Sequence, residues 1–561
     1  MMKNLFNDIK NFCYCTAYMI MLLLTATCAY GYAVTHHAIG MDDTVIPLYF
    51  EEGLAPYVGR WSLFVINKLF HIADFIPWMV ELVSVLILIL SVTLWCILWK
   101  RICEPKVVLP LWSYAFVAAI FLSCPLISEV YVFYLHNGIC TGYGVTALAL
   151  ICFVDSLKTE ETKQYRIKQG FLSAVLLTAA LGFYESFIMV YVLGAVMCFF
   201  LIRVLYGKRN EASGYQTNIL YWIGNGLLIA VISVVLRMAI LAILSQVYQL
   251  DKLDNYDVLY RNLFGNIFTI KGEFAMILKR FFVKYYVNAI LYLPITVLVV
   301  SMIFIGIYSL YKGIRKRDIM LPLCSVALVI FPVFMSIIEG LATRYRSAQY
   351  VPLIGAFAVL LLLIELHQYK MPKWFFAGCY LFLSILLYNQ CTDMNRWFYL
   401  DDLKYQDAKE VINQVAYDLE KGYDISKPII FIGGYEVPYE ITKDVYVSFD
   451  SPEYRWISRL TDWLDPHLKE KYHAGNGKGY IFAESPIISV LQWGLTAFDG
   501  TSQQLIEFMK MHGHDSFRCE TDLAVIQEIH QLHMEDNMPS YPKAGYIKEC
   551  EDYIIVNLSN I

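Results

Sequence analysis

The sequence is poor in charge. Only 17% of its 561 residues are Asp, Glu, Lys or Arg, and 58% are hydrophobic, whereas soluble proteins carry about 25% charged residues. This composition excludes a cytosolic or secreted enzyme and a disordered scaffold. It predicts a polytopic α-helical membrane protein.

Several motifs are also missing. The chain has no CxxC pair, no Cys/His array with zinc spacing, no Walker motif and no GxGxxG after a strand. Residues 1–389 carry 29 Lys+Arg against 21 Asp+Glu, a net charge of +8, and residues 390–561 carry 15 against 28, a net charge of −13. Neither part shows the basic footprint of a nucleic-acid partner. The asymmetry instead predicts an apolar body, 1–389, followed by an acidic, water-soluble tail, 390–561.

Apolar runs long enough to cross a bilayer, which takes about 20 residues, predict about eleven transmembrane helices. The first is read as an uncleaved helix, because Ala26-Thr27-Cys28 is a poor signal-peptide cleavage site. The runs are 11–34, 78–99, 107–125, 138–154, 170–186, 187–206, 217–237, 286–311, 319–338, 348–366 and 374–389. Two long loops separate them, at 35–77 and 238–285.

The charges between the runs predict an orientation. Every alternate connecting segment is basic, starting with Lys3 and Lys10, and the short turns near Ser128 and Tyr184 hold no Lys or Arg. By the positive-inside rule the N-terminus is cytoplasmic. An odd number of spans then places the two long loops and the tail on the outer side.

The tail has the pattern of a small α/β domain. Residues 407–419 and 502–511 have helical periodicity, and 428–434 reads as a strand that ends in a turn. Residues 546–558 alternate around a polar centre, which indicates a closing hairpin.

The strongest candidate site is His36-His37-Ala-Ile-Gly-Met-Asp42-Asp43, within ten residues of the first apolar run. Adjacent carboxylates at a membrane surface suit a general base for a sugar hydroxyl, or a divalent cation (Mg or Mn) that holds a phosphate. A helix cap with an acid in its first turn explains Asp42 and Asp43 equally well. His37 is an accessory candidate, although an interfacial polar role is the simpler interpretation.

Three further places in the sequence hold candidate residues. Arg60, in Gly59-Arg60-Trp61, suits a phosphate near the headgroups, although taken alone a lipid-paired aromatic anchor is the better interpretation. Arg344 and Arg346 lie in a short outer loop, against the positive-inside trend, which favours a phosphate partner; lipid headgroups and the acidic tail are the alternative partners. Glu185 lies in apolar sequence, where an acid is a functional candidate by default; we favour a turn between two spans, which would instead expose it to water. Arg237 ends a run and is read as interfacial.

In their order along the chain, these motifs resemble a known family. His-His-x-Ile-Gly-Met-Asp-Asp follows the first helix, then come Gly-Arg-Trp-Ser-Leu, Phe-Tyr-Glu-Ser-Phe and the paired-Arg loop. Tyr388-Asn389-Gln390, Asp401-Asp402 and Met538-Pro-Ser-Tyr-Pro-Lys-Ala-Gly545 follow. Together they resemble the bacterial Gtr type-II glucosyl transferases, integral-membrane enzymes of the GT-C superfamily that modify O-antigen and other surface polysaccharides.

The resemblance implies a GT-C-like membrane domain in the bacterial inner membrane and an inverting hexosyl transfer, with glucose on undecaprenyl phosphate as donor and a surface glycan as acceptor. It carries the catalytic role to Asp42 and Asp43 and donor-phosphate binding to Arg344 and Arg346, with Arg60 in support. Another GT-C activity with a different sugar is one alternative. A lipid-linked-oligosaccharide flippase or other polysaccharide transporter is the other, although it should show ionisable residues deep in several spans.

Overall fold

The structure is a computed structural model. It describes residues 2–40, 43–45, 59–70, 77–131, 136–207, 214–247, 296–339, 348–369, 371–442, 445, 490–493, 500–532 and 537–559. The second long loop, 238–285, therefore lies outside the described residues beyond position 247.

The chain forms two compact units. The first comprises Met1–Val34, Phe50–Tyr131 and Leu135–Asn395, and the second comprises Thr35–Tyr49, Val132–Tyr134 and Arg396–Ile561. The second unit thus contains the start of the first long loop as well as the tail. The sequence boundary at 389/390 falls inside one continuous helix, Lys373–Gly422.

The described residues of the first unit form helices joined by turns, with one isolated β-bridge between Lys158 and Tyr215. Its helices are α1 Met2–Tyr14, α2 Thr16–Thr35, α3 Trp61–Phe70, α4 Pro77–Cys103, α5 Tyr114–Leu122, α6 Leu126–Tyr131, α7 His136–Ser156, α8 Lys163–Leu181, α9 Phe187–Tyr206, α10 Ile219–Val247, α11 Thr296–Lys316, α12 Met320–Glu339, α13 Val351–Gln368 and α14 Lys373–Gly422, the last of which continues into the second unit. Helix α7 packs against α4, α8 and α9, and α11 packs against α12 and α13. The core between them is rich in large aromatic side chains, among them Trp95, Trp99 and Phe153.

Seven helices in the described part of the chain are long and apolar enough to cross a membrane. They are α2, α4, α7, α9, α10, α13 and α14. The predicted class, a polytopic α-helical membrane protein, is confirmed. The predicted count of eleven is not, because the runs at 107–125, 170–186, 286–311 and 319–338 do not meet the same criterion among described residues.

The run at 107–125 is not one spanning helix, so that prediction was wrong. It forms a 3-10 turn at Leu111–Ser113 and then α5, with a break before α6. Pro110 and Pro125 flank the helical part, and proline disfavours helical geometry in the residue before it. At 1.5 Å per residue the nine residues of α5 extend about 13.5 Å, roughly half of the bilayer core.

Basic residues meet acidic residues at one end of the first unit. Tyr206, in the last turn of α9, donates its hydroxyl to the carbonyl of Ile102 in α4 at 2.8 Å, so those helix ends lie together. The ion pairs there are Asp8–Arg101 at 2.8 Å, Arg203–Asp318 at 2.7 Å and Lys312–Glu365 at 2.7 Å. Each basic member belongs to a segment that the sequence assigns to the cytoplasmic side, and the structure gathers these segments at one end.

The second unit contains a three-stranded sheet. Strands β1 Ile429–Ile432, β2 Ile547–Glu549 and β3 Ile554–Asn557 are ordered β1-β3-β2, with β1 parallel and β2 antiparallel to β3. The helices beyond α14 are α15 Tyr439–Thr442, α16 Val490–Trp493, α17 Gln503–Met511 and α18 Leu523–Gln531. Ile526 and Ile529 of α18 pack on the sheet. The predicted helices at 407–419 and 502–511, the strand and the hairpin are all present.

Candidate active site

Asp43 begins a 3-10 turn, Asp43–Val45, in the second unit. Its Oδ2 accepts the backbone N–H of Gly40 at 2.6 Å, and the side chain is fully buried. The acid therefore bonds back to the backbone three residues before it. The cap and the general base both stay predictions. The same bond fixes the orientation of the carboxylate, which a general base also needs. Asp42, the other catalytic candidate, lies outside the described residues.

The histidines stand just before this turn. His36 Nδ1 lies 2.9 Å from Thr35 Oγ1, and His37 is half-buried. Within the described residues no three His, Cys, Asp or Glu side chains are grouped so as to hold a metal ion. Because Asp42 is not among them, a divalent cation at Asp42 and Asp43 stays a prediction.

Three segments of the first unit meet around an ion pair. Arg237 Nη2, on α10, lies 2.6 Å from Glu185 Oε1, in the turn between α8 and α9. Gly59 lies against this pair with a φ of +87°, and a Cβ built on it would stand 2.1 Å from Arg237 Nη2. The turn predicted for Glu185 is confirmed, and its carboxylate is engaged by a charged partner.

Arg60 is the residue directly after Gly59 in the chain. Its guanidinium lies over the ring of Tyr184, 4.8 Å from the ring centroid, which is a cation–π contact. The helix after it is held on α8, because the Ser62 N–H donates to the carbonyl of Gly182 at 3.0 Å and the Ser62 hydroxyl donates to that of Ala179 at 2.8 Å. Arg60 therefore projects from a fixed helix start.

Gln349 links the paired-Arg loop to the same place. Its side-chain oxygen accepts the hydroxyl of Ser186 at 2.8 Å, and its backbone carbonyl accepts the hydroxyl of Tyr143 at 2.7 Å. Both bonds are buried. Arg344 and Arg346 themselves lie outside the described residues, but the chain three residues after Arg346 is anchored beside Glu185.

Sequence reasoning missed three residues of this arrangement. Arg237 was read as interfacial, yet its position within the apolar residues of α10 marked it as a charge that needs a partner. Gln349 and Tyr143 gave no comparable indication, because an uncharged polar residue near a span end is common.

Gly59→Ala tests the close approach at the ion pair. We expect a loss of about 1–3 kcal/mol in stability, because the methyl group meets the Arg237 guanidinium and a non-glycine residue is strained at this φ. A melting temperature of the purified protein in detergent measures it. Gly170→Ala is the matched control, since a Cβ there meets nothing within 4 Å; equal melting temperatures for the two variants would contradict the close packing.

Comparisons with known proteins decide the family. A family model described as Glucosyl transferase GtrII matches residues 31–363, more than half of the chain. The chain belongs to the GtrII glucosyl transferase family. It is therefore a membrane glycosyltransferase by family. No curated protein matches the sequence.

One solved structure resembles the chain. It is ArnT from Cupriavidus metallidurans bound to undecaprenyl phosphate, with 11% sequence identity and a TM-score of 0.36 over 82% of this chain and 92% of that chain.

The GtrII match includes the residues described above in both units. Its range, 31–363, contains Asp43 of the second unit and Arg60, Glu185, Arg237 and Gln349 of the first. The GtrII-matched region begins in α2 and ends within α13, so the sheet and helices α15 to α18 lie beyond it.

Proposed function

We propose that this GtrII protein transfers a hexose, glucose by family, from undecaprenyl phosphate to a surface polysaccharide at the outer face of the bacterial inner membrane. The observation that carries the proposal is the family match over residues 31–363. The cluster formed by Gly59, Arg60, Glu185 and Arg237 supports it, because it gathers charged side chains from separate segments at one end of the helices.

Donor binding calls for positive charge near the phosphate. As the bond to the sugar breaks, negative charge grows on the phosphate oxygens, and guanidinium groups stabilise it. Arg60 is proposed for this role because of its residue type and because it directly follows Gly59, which lies against the Glu185–Arg237 pair. Arg344 and Arg346 are proposed for the same role on the strength of their residue type and of Gln349, which anchors the chain just after them.

The acceptor needs a base. In an inverting transfer, the acceptor hydroxyl attacks the anomeric carbon while the lipid phosphate leaves from the opposite side, and a carboxylate takes the hydroxyl proton. Asp42 or Asp43 is proposed as that base. The polyprenyl phosphate is already a leaving group, so the reaction calls for no nucleotide.

The length of helix α9 supports a placement of the cluster and the basic residues on opposite faces of the membrane. It begins next to Ser186 at the cluster and carries Arg203 in its last turn. Its 20 residues extend about 30 Å, which is the thickness of a bilayer core. If the basic end is cytoplasmic, the cluster faces outward, as proposed for an enzyme with a surface-glycan acceptor. The extracytoplasmic tail is proposed separately, from the charges of the connecting segments.

A direct assay tests the function. Purified protein with radiolabelled glucosyl undecaprenyl phosphate and surface polysaccharide should release undecaprenyl phosphate and add label to the polymer. In cells, the glycan mass should differ by one hexose per modified unit between strains with and without the gene. An unchanged glycan, with the labelled donor moved across the membrane intact, would instead establish the transporter alternative.

A further inference from the structure

Three tyrosines collect at one edge of the sheet in the second unit. Strands β1 and β3 are parallel and both end at this edge, and β2, antiparallel to β3, begins there. Tyr435 comes shortly after the end of β1, and Tyr541 and Tyr546 come shortly before the start of β2. In α/β sheets, ligands bind outside the carboxyl ends of the parallel strands. The tyrosine group, defined as these three residues, therefore lies where a ligand site is expected.

The tyrosine group is packed together and tied to the sheet. The ring of Tyr541 meets those of Tyr435 and Tyr546 edge-on, with centroid distances of 6.1 Å and 5.3 Å. The Tyr541 N–H donates to the carbonyl of Asn557, the last residue of β3, at 2.9 Å, and the Asn557 N–H donates to the carbonyl of Tyr546 at 2.9 Å. The Met538–Gly545 motif, which contains Tyr541, is thus fixed to the end of β3.

Helix α14 brings carboxylates to the tyrosine group. Because residues on an α-helix are about 100° apart, Asp407, Glu410 and Asp418 share one side of α14. The Tyr546 hydroxyl donates to Asp418 Oδ2 at 2.7 Å. Burial raises the pKa of Tyr541, and the negative charges of the same three carboxylates raise it further. This side of α14 therefore faces the tyrosines.

Two side chains of this arrangement are accessible. Tyr435 and Tyr546 are only 5% and 6% exposed, whereas Tyr541 is half-buried and Glu410 is exposed. In the described part of the chain, no hydrogen bond or ion pair engages the Tyr541 hydroxyl or the Glu410 carboxylate. A fixed surround thus presents one partly exposed aromatic ring and one carboxylate.

A sugar has the chemistry to bind both groups. The faces of a pyranose ring carry C–H groups, which pack on the electron-rich face of an aromatic ring. Its hydroxyls donate to a carboxylate in charge-assisted hydrogen bonds. The three carboxylates of α14 repel an anionic polymer at short range. A neutral glycan is therefore the class of ligand that fits.

We propose that the tyrosine group and Glu410 bind a neutral sugar unit of the acceptor glycan. This inference rests on the proposed function, in which the acceptor is a surface polysaccharide, and it adds a place and a chemical class for acceptor binding. Tyr541 packs on the sugar and Glu410 accepts hydrogen bonds from its hydroxyls, while Tyr435 and Tyr546 hold the Tyr541 ring in place. The bond chemistry is left to the proposed base.

Two variants test the site in the full-length protein. The probe is surface polysaccharide purified from cells that lack the gene, and its Kd is measured by calorimetry in detergent without donor. We expect Tyr541→Ala and Glu410→Gln each to raise this Kd, and the KM for polysaccharide in the transfer assay, about tenfold, as the loss of one charge-assisted hydrogen bond does. The KM for the lipid donor should change less than about twofold.

The turn between β2 and β3 supplies matched controls. Tyr553 is half-buried and Glu551 is exposed, as Tyr541 and Glu410 are, but both lie at the opposite edge of the sheet. Tyr553→Ala and Glu551→Gln should leave the Kd for polysaccharide within about twofold of the unmodified protein. Carboxymethylated polysaccharide, which carries added negative charge, should bind more weakly than the untreated polymer.

The outcomes separate this site from the proposed function. Equal Kd values for the variants at the two edges overturn the site, and equal binding of the carboxymethylated polymer overturns the neutral class. If Tyr541→Ala does not fold, Glu410→Gln decides alone, because its exposed side chain has no structural partner to lose. Binding of polysaccharide without any hexose transfer by the unmodified protein would contradict the proposed function and leave the binding result standing.

Discussion

Asp42→Asn or Asp43→Asn should lower the rate of hexose transfer by about 10²–10⁴-fold, the usual contribution of a general base. Asparagine keeps the size of the side chain and removes its charge and basicity. At position 43 it also keeps an oxygen that accepts the Gly40 N–H, so that bond survives. Transfer of radiolabelled hexose to the polysaccharide, per mole of folded protein, measures the effect.

Asp522 supplies the matched control. It caps α18 in the same unit, where its Oδ1 accepts the Ala524 N–H at 2.8 Å. Asparagine caps helices about as well as aspartate, so Asp522→Asn should leave both stability and transfer near normal. If Asp42→Asn and Asp43→Asn behave like Asp522→Asn, the pair is structural and the site assignment is wrong.

The second large effect is expected at the Glu185–Arg237 pair. Glu185→Gln removes the charge that faces the Arg237 guanidinium, whose side chain is only 7% exposed. Breaking a buried ion pair from one side costs about 3–5 kcal/mol, and the 37% exposure of the Glu185 side chain places the expected loss at the lower end of that range. Since Gly59 lies against Arg237, a displaced guanidinium also moves Arg60, and the KM for the donor should rise.

A double-mutant cycle isolates this coupling. We expect Glu185→Gln and Arg237→Gln together to be less damaging than the sum of the two, with a coupling energy of about 1–3 kcal/mol from denaturant unfolding. The same cycle at Lys427 and Glu549, a partly exposed pair at 2.7 Å, should give less than about 1 kcal/mol. Equal coupling at the two pairs would show that the buried pair has no special role.

Membrane helices were predictable from sequence where length and hydropathy alone decide the structure. Helix α9 covers the run at 187–206 without an offset, because no proline or charge interrupts that run before Arg203. The run at 107–125 is also mostly apolar, yet Pro110 and Pro125 confine its helix to a shorter length. A hydropathy value sums the contributions of side chains. It does not account for a proline that prevents the backbone from continuing a helix.

The candidate site was predictable only as separate segments. Each of three residues gave a local indication: Asp43 as an acid close to the end of an apolar run, Glu185 as an acid within apolar sequence, and Arg60 as a basic residue next to Trp61. The meeting of Gly59 with Arg237 joins positions far apart in the chain, and it depends on how α8, α9 and α10 pack. The packing of Asp43–Val45 on α17 is even harder to predict from the sequence, since no pattern in a three-residue turn specifies a partner in the tail.

The ion pairs at the basic end have a consequence for membrane insertion. The orientation of a membrane protein follows its Lys and Arg residues, and acids contribute little. If this end is cytoplasmic, as the sequence predicts, Arg203 and Lys312 act as orienting charges while the chain is being inserted. Once the helices have assembled, the same two side chains form ion pairs with Asp318 and Glu365. Their positive charges are then largely neutralised. The same residues thus serve first in membrane insertion and later in the assembly of the helices. One substitution at Arg203 would disturb both steps.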